Sequence, residues 1–405
     1  MSGTLKYDVA LCGGGIGGLT AALALSAKGF SSIIVERMDT PSSHGSGLQI
    51  GPNASHVLSD LGLLSDLLNV ATQPERIKIQ DLKTASEITT IPLGKTAYKK
   101  YHAPYLVIHR ADLHYLLTKK AIEHPLIDFC SGFFAEKFVD HGDRVELIST
   151  EKESFETDIL IGTDGLWSVI RKQLHGDTLP RNSGQIAWRA LVPTSKISKD
   201  WLTPQSGVWL GANKHIVTYP VKGGVDIKMV IVTMGKVPGL GWSELGNKYD
   251  LLKLLGDVHK SLIDLIEAAP EFRLWQLHDR DPLAQWGQGR VSLLGDAAHP
   301  MLPHLAQGAG MAIEDSYVLA HCLSQQRGNL AAGLRRYETL RKPRTDHVQA
   351  ASRHQSKNYH MDSLQGKVRN FTLGLAGKIM PTKLLYHYDW LYEVSLNDMI
   401  SGSAK

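Results

Sequence analysis

DVALCGGGIGGLTAALALSAKGFSSIIVE, Asp8 to Glu36, decides the fold by the order of its parts. A short apolar run enters a cluster of glycines, an alanine-rich stretch follows, and a second branched run ends on an acid. Gly13, Gly15 and Gly18 satisfy the pattern G-x-G-x-x-G. The first such glycine permits a tight turn, the second lets a pyrophosphate approach the backbone, and the third lets helix pack on strand. Glu36 stands where a carboxylate accepts ribose hydroxyls. The stretch therefore predicts a strand, helix, strand unit that binds a dinucleotide.

Two remote segments have the same character. Gly289 to Ser316, GRVSLLGDAAHPMLPHLAQGAGMAIEDS, predicts a buried strand over Val291 to Leu294 that ends in Gly295-Asp296. Gly308, Ala309 and Gly310 carry little side chain where a helix beginning near Met311 would aim free amides outward, a terminus that favours negative charge. Ile159 to Arg171, ILIGTDGLWSVIR, predicts another buried strand, Ile159 to Ile161, running into Gly162-Thr163-Asp164-Gly165, with Ser168 and Arg171 on the helix after it.

The three segments, in this order and spacing, resemble the single-component FAD-dependent aromatic hydroxylases of the p-hydroxybenzoate hydroxylase fold group, and the resemblance covers nearly the whole chain. It implies that Gly13, Gly15, Gly18 and Glu36 bind the ADP half of FAD. Asp164-Gly165 is then implicated in both FAD and NAD(P)H binding, and Gly295-Asp296 contacts the ribityl chain. Arg110, in VIHRADLH, matches the family's cofactor-contacting arginine, Pro300 its flavin-side proline, and Gln49 falls beside the flavin ring. Only one dinucleotide fingerprint is present, so NADH or NADPH docks transiently as co-substrate. No CxxC pair argues for a disulfide reductase.

The expected fold is α/β. A Rossmann-like FAD-binding domain, discontinuous over 1–175 and 277–345, is joined to an antiparallel β-sheet substrate domain over 176–276 and a C-terminal helical segment over 346–405. The alternating strand and helix signals run from 6 to 70 and from 105 to 175. QIAWRALVP, GVWLG, KHIVTYPV and DIKMVIVT are the strand-like runs of the sheet, which roofs the flavin. The aromatic run Tyr386 to Glu393, YHYDWLYE, is expected to pack as a lid or interface.

Alternation along KHIVTYPV puts His215, Val217 and Tyr219 on one face and Ile216 and Thr218 on the other. Read from the strand alone, His215 is a half-exposed histidine and Tyr219 a packing aromatic. The resemblance implies more: in relatives that hydroxylate 3-hydroxybenzoate at position 6, and in 6-hydroxynicotinate 3-monooxygenases, a histidine and a tyrosine at these positions face the aromatic substrate. His304 matches a histidine of salicylate and 6-hydroxynicotinate hydroxylases. Here the chain departs from 3-hydroxybenzoate 6-hydroxylases, which tend to carry Gln-Tyr where this sequence has Pro303-His304. Salicylate hydroxylases often place phenylalanine where this chain has Tyr219. Tyr105 is a weaker substrate candidate, Arg189 pairs with a substrate carboxylate or with a domain carboxylate, and His299 is structural, its imidazole engaged by backbone.

The chemistry implied is attack of an electron-rich ring on a flavin C4a-hydroperoxide. Histidine, with an ordinary pKa of about 6.5, is the natural acceptor of a phenol proton near neutral pH. Three readings compete: hydroxylation of a hydroxylated aromatic carboxylate, best 3-hydroxybenzoate to gentisate; decarboxylative hydroxylation of salicylate or 6-hydroxynicotinate; and a non-catalytic FAD-binding redox sensor.

Bulk properties agree. The 405 residues carry a formal charge of +4 with no basic cluster, which argues against nucleic acid as a partner and leaves a small aromatic acid and O2. Cys12, Cys130 and Cys322 read as reduced thiols, so a cytoplasmic setting is expected. No apolar run reaches membrane-spanning length, no signal-peptide pattern precedes the glycine motif, and no metal set is visible. A homodimer is the family habit.

Overall fold

In a computed structural model that describes residues 7–39, 47–236, 244–361 and 363–402, Tyr7–Cys12 is the centre of a seven-stranded sheet. Ile127–Cys130, Ser32–Val35, Tyr7–Cys12 and Ser154–Gly162 lie side by side in parallel, their apolar runs covered on both faces. Ser154–Gly162 then forks. Its first half pairs antiparallel with Val145–Ser149, which continues to Ala135–Asp140. Its second half pairs parallel with Val291–Leu293, so the late glycine-and-acid segment returns to the sheet begun at Tyr7. The helices Ile16–Ser26 and Gly308–Gln325 pack on this sheet in one apolar core. The second helix starts at Gly308, three residues before the expected Met311, because the glycines continue the helical turn rather than precede it.

The second sheet has eight strands, in the order Glu244–Gly246, Phe272–Asp279, Arg181–Pro193, Asp226–Met234, Lys214–Val221, Gln205–Gly211, Arg76–Asp81 and Glu87–Pro92. The four runs read from sequence lie together in its middle and pair antiparallel. Three features differ from expectation. Gln205–Gly211 pairs parallel with Arg76–Asp81, and that strand and Glu87–Pro92 come from the stretch assigned to the cofactor part. A parallel pairing between distant segments leaves no turn signal in the sequence. The helix Leu330–Tyr359 also runs unbroken through the expected boundary at 345, with Pro343 inside it.

The two faces of this sheet have different surroundings. Trp188, Ile216, Ile227, Met229 and Ile231 point outward into a core closed by the helices Lys248–Leu255 and Lys260–Ala268. Val217, Tyr219, Val230 and Val232 point inward, where their neighbours include Met311, Leu302 and Tyr105 of the cofactor half. Tyr388 and Tyr392, from the aromatic run near the C-terminus, pack into the same inner core, Tyr392 edge-on to Tyr105. Among the described residues no helix is long and apolar enough to cross a membrane.

Candidate active site between the two sheets

The three glycine-and-acid turns meet. At Gly13, with φ of +120°, an added Cβ would lie 2.5 Å from the Thr163 carbonyl oxygen, so the first turn is packed directly on the middle one. Thr163 Oγ1 donates to the carbonyls of Cys12 (3.0 Å) and Gly13 (2.7 Å). At Gly18 the same Cβ would lie 2.0 Å from the Gly13 carbonyl oxygen, whereas beside Gly15, at the helix N-terminus, nothing lies within 4 Å. The middle turn is tied to the last by Arg171, whose Nη1 donates to the carbonyls of Ala297 (3.0 Å) and Ala298 (2.9 Å). Asp164 Oδ2 accepts from the amides of Val169 (2.7 Å) and Ile170 (3.2 Å), capping the helix that carries Arg171. Glu36 is oriented by the Gly14 amide, 2.8 Å from its Oε2.

Asp296 and Arg110 are exposed, Arg110 as the first residue of the helix Arg110–Ile122. Tyr105 donates its hydroxyl to Gln49 Oε1 at 2.5 Å, joining two of the expected residues across the small sheet of Gly47–Ile50 and Leu106–His109. The loop after the last turn is held from behind by the long helix: Gln349 Nε2 donates to the Pro300 carbonyl (2.8 Å) and Ser352 Oγ to that of Leu302 (2.5 Å). The half-exposed Gly308 and Ala309 lie at the helix start, and Gly310 is buried near Asn53 and Gln307. A bare helix N-terminus at Gly15, an oriented acid at Glu36, and a second glycine-rich helix start near Asp296 suit a dinucleotide with a pyrophosphate and two hydroxyl-bearing sugar-like chains.

His299 is structural, but its partner is a carboxylate rather than backbone. Its Nε2 lies 2.6 Å from Asp315 Oδ2, which also accepts from the Gly295 amide at 3.2 Å. Arg341, fully buried, donates to Asp315 (2.7 Å) and Glu314 (2.7 Å), and Glu314 also accepts from Arg344 (2.7 Å) and Asn53 (2.6 Å). Burial would raise the Glu314 carboxyl, but Arg344 and Arg341 outweigh it and hold it down at about 2.

At one end of the roof's inner face the expected His215 and His304 come together with residues the sequence reading missed. Gln185 Nε2 donates to Ser356 Oγ (2.7 Å) and to His360 Nδ1 (3.0 Å), and its Oε1 accepts from His304 Nε2 (3.0 Å). His360 Nε2 then donates to His215 Nδ1 at 2.9 Å. With the amide so oriented, both of its N–H groups find acceptors and every tautomer follows. All three imidazoles are neutral, His215 retains its proton on Nε2, and His304 Nδ1 is buried with an unused lone pair. Burial lowers all three, reinforced at His215 and His304 by the neighbouring imidazoles and at His360 by Arg369: His215 falls well below the ordinary value, His304 to about 3 and His360 to about 4. Tyr359 packs on His215, with ring centres 4.9 Å apart. The three rings are bonded along a chain, and among the described residues no group of three ligands is set to hold a metal ion.

Tyr219 shares the face with His215 but stands four residues along the strand, over Gly47, where burial pushes its phenol above the ordinary range. The missed residues had one sequence signal. Gln349, Ser352, Ser356 and Tyr359 recur at helical spacing, so they form one polar stripe on a long helix.

Known proteins share this fold over nearly the whole chain. The model of a family described as FAD binding domain matches residues 6–352. The 3-hydroxybenzoate 6-hydroxylase 1 of Aquipseudomonas alcaligenes is 34% identical over 392 residues, 96% of this chain and 98% of that protein. The 6-hydroxynicotinate 3-monooxygenase of Pseudomonas fluorescens is 36% identical over 352 residues, 85% of this chain and 90% of its own length. A solved salicylate hydroxylase substrate complex superposes with a TM-score of 0.82 at 24% identity, covering 100% of this chain and 99% of that one, which shows a shared fold.

Proposed function

We propose, from the premise that this chain belongs to the FAD binding domain family of flavin-dependent aromatic hydroxylases, that it hydroxylates a small hydroxylated aromatic carboxylate, with 3-hydroxybenzoate to gentisate as the favoured reaction. That it is an FAD-dependent monooxygenase using NAD(P)H follows from the family; the ring and the position attacked are the proposal. Gly13, Gly15, Gly18 and Glu36 would hold the ADP half of FAD. Arg110, Gln49, Asp164, Asp296, Pro300, Gly308, Ala309 and Gly310 would line its remainder. Bound FAD supplies the activation of dioxygen: one oxygen atom goes to the ring and the other leaves as water, with NAD(P)H giving the two electrons.

One observation carries the reading, namely the unused lone pair of His304 Nδ1 at the end of a chain of neutral imidazoles. A phenol aimed at it gives up its proton there, leaving the electron-rich phenolate that attacks oxygen. A lone buried imidazolium is costly, but this one forms beside the phenolate, and opposite charges at contact favour both. His215, with its proton on Nε2, donates toward the same oxygen. Tyr219 stays neutral and donates from further along the face, and the sheet keeps water out.

The decarboxylative reading is retained because His304 replaces the tyrosine expected of 3-hydroxybenzoate 6-hydroxylases and is matched in 6-hydroxynicotinate relatives. Turnover of 3-hydroxybenzoate, salicylate, 4-hydroxybenzoate and 6-hydroxynicotinate, scored by product and by released CO2, separates the two. His304→Ala should keep FAD and still oxidise NAD(P)H, but form product about 100-fold more slowly. Unchanged product yield in that variant removes His304 from the chemistry.

A further inference from the structure

The other end of the roof's inner face carries two cations that no carboxylate among the described residues answers. Lys228, on Asp226–Met234, stands directly opposite Tyr219 on one neighbouring strand and Leu191 on the other. Arg189, two residues before Leu191, is therefore its diagonal neighbour on the same face, within reach of a long side chain. Both point inward, because the alternate residues Trp188, Ala190, Ile227 and Met229 fill the outward core.

Lys228 is 3% exposed, yet among the described residues it has neither a hydrogen-bond nor an ion-pair partner. Burial and the neighbouring Arg189 lower its ammonium to about 7. Arg189 lies with its guanidinium 4.7 Å above the Trp275 ring, and its Nε is enclosed without an acceptor. The charged and titratable groups acting on Arg189 are Tyr219, a neutral phenol, and Arg110, a third cation. A buried ammonium beside a half-buried guanidinium whose Nε is enclosed is costly unless an anion joins them. The domain carboxylate that would have answered Arg189 is absent among the described residues.

We propose that Arg189 and Lys228 form an anion subsite that takes the carboxylate of the aromatic substrate and sets its hydroxyl toward His215 and His304. The proposal rests on the function given above and makes it more specific. His215 and Tyr219 are separated by about 13 Å of strand, a span that a substituted benzene ring bridges with the reach of a lysine and an arginine. Arg189 presents a planar pair of donors suited to a carboxylate, and Lys228 a compact point charge at its edge. Recognition of a charge at one end and a phenol at the other admits hydroxybenzoates and hydroxynicotinates and rejects their uncharged analogues.

The test uses the FAD-loaded full chain and reads ligand binding from the change in the oxidised flavin spectrum, so that it does not depend on turnover. Wild type should bind 3-hydroxybenzoate at least tenfold more tightly than the isosteric, uncharged 3-hydroxybenzamide. Lys228→Met should bind the acid at least tenfold more weakly and the amide as before, Arg189→Met should do the same, and Lys228→Arg should recover most of the acid affinity. Lys228→Met should also unfold at a higher urea concentration than wild type, which certifies that it folds. Equal affinity of Lys228→Met and wild type for the acid, an equal loss for acid and amide, or loss of FAD in place of substrate would each overturn the subsite. Hydroxylation of the acid by wild type together with any of those results would leave the function standing without the subsite. A wild type that converts none of the acids would remove both.

Discussion

Two sets of charged side chains lie largely enclosed in the protein, and they differ in whether the protein itself answers each charge. Beneath the last cofactor turn, Glu314 and Asp315 are answered by Arg341 and Arg344, with every ion pair at 2.7 Å, and His299 Nε2 lies 2.6 Å from Asp315. On the roof, Arg189 and Lys228 have no carboxylate among the described residues. A closed network fixes geometry: it fastens the Gly295 turn, Asn53 and the long helix into one body. An open one stores an unmet demand for an anion, and the protein retains it at a cost in stability because a ligand meets it.

The contrast predicts opposite signs for two substitutions of the same kind. Arg341→Met leaves Asp315 and Glu314 buried with fewer cations and should lower the unfolding free energy by about 3–5 kcal/mol. Lys228→Met replaces a buried, unpartnered cation by a similar apolar volume and should raise it by about 1–3 kcal/mol. Urea unfolding of the two variants beside wild type decides the matter. A loss in both would mean that Lys228 has a partner and that the roof is a second closed network.

Acid sharpens the comparison by adding a third set, the neutral imidazoles. Glu314 is held at about 2, so its contribution is present above the ordinary carboxylate range and disappears only as pH falls toward 2. His360 and His304, lowered by burial to about 4 and about 3, behave differently. In the unfolded chain they take up protons near pH 6.5, and in the folded chain they refuse them until far lower. Stability should therefore begin to fall below about pH 6.5 and go on falling to about pH 4, each histidine adding up to about 1.4 kcal/mol per pH unit. His360→Gln should take one such increment out of the slope between pH 6 and 4. An unaltered slope in that variant would mean that His360 titrates normally and that the chain of tautomers is misread.

These three sets also mark how much the sequence disclosed. The cofactor turns were legible because a glycine or an acid at a fixed spacing answers a local backbone demand, and the contact of Gly13 with Thr163 joins motifs already visible separately. The shared face of His215 and Tyr219 was legible from strand alternation alone. What completes the site was not, since Gln185 with His360, His215 with His360, and Lys228 with Arg189 are brought together by strand pairing and by the docking of one long helix. The strands Arg76–Asp81 and Glu87–Pro92 escaped for the same reason, their place in the roof being set by a parallel partner far along the chain. Arg189 was visible as a candidate, but the burial of Lys228 beside it, on which the proposed subsite rests, was not.

The smallest expected effect lies within the glycine motif, where the same division between closed and open recurs. An alanine at Gly13 meets the Thr163 backbone and requires a φ of +120°, so that position serves the protein's own packing. Gly15 has an ordinary φ of −73° and open space where a Cβ would go, so alanine is tolerated by the fold. The methyl group stands where a pyrophosphate would approach the helix N-terminus. Gly15→Ala should thus leave urea unfolding of the FAD-free protein within about 0.5 kcal/mol of wild type and weaken FAD by about tenfold, near 1.4 kcal/mol. Flavin retention through a desalting column, followed by fluorescence titration, measures it. Undiminished FAD affinity would place the pyrophosphate elsewhere, because no described residue makes use of the space beside Gly15.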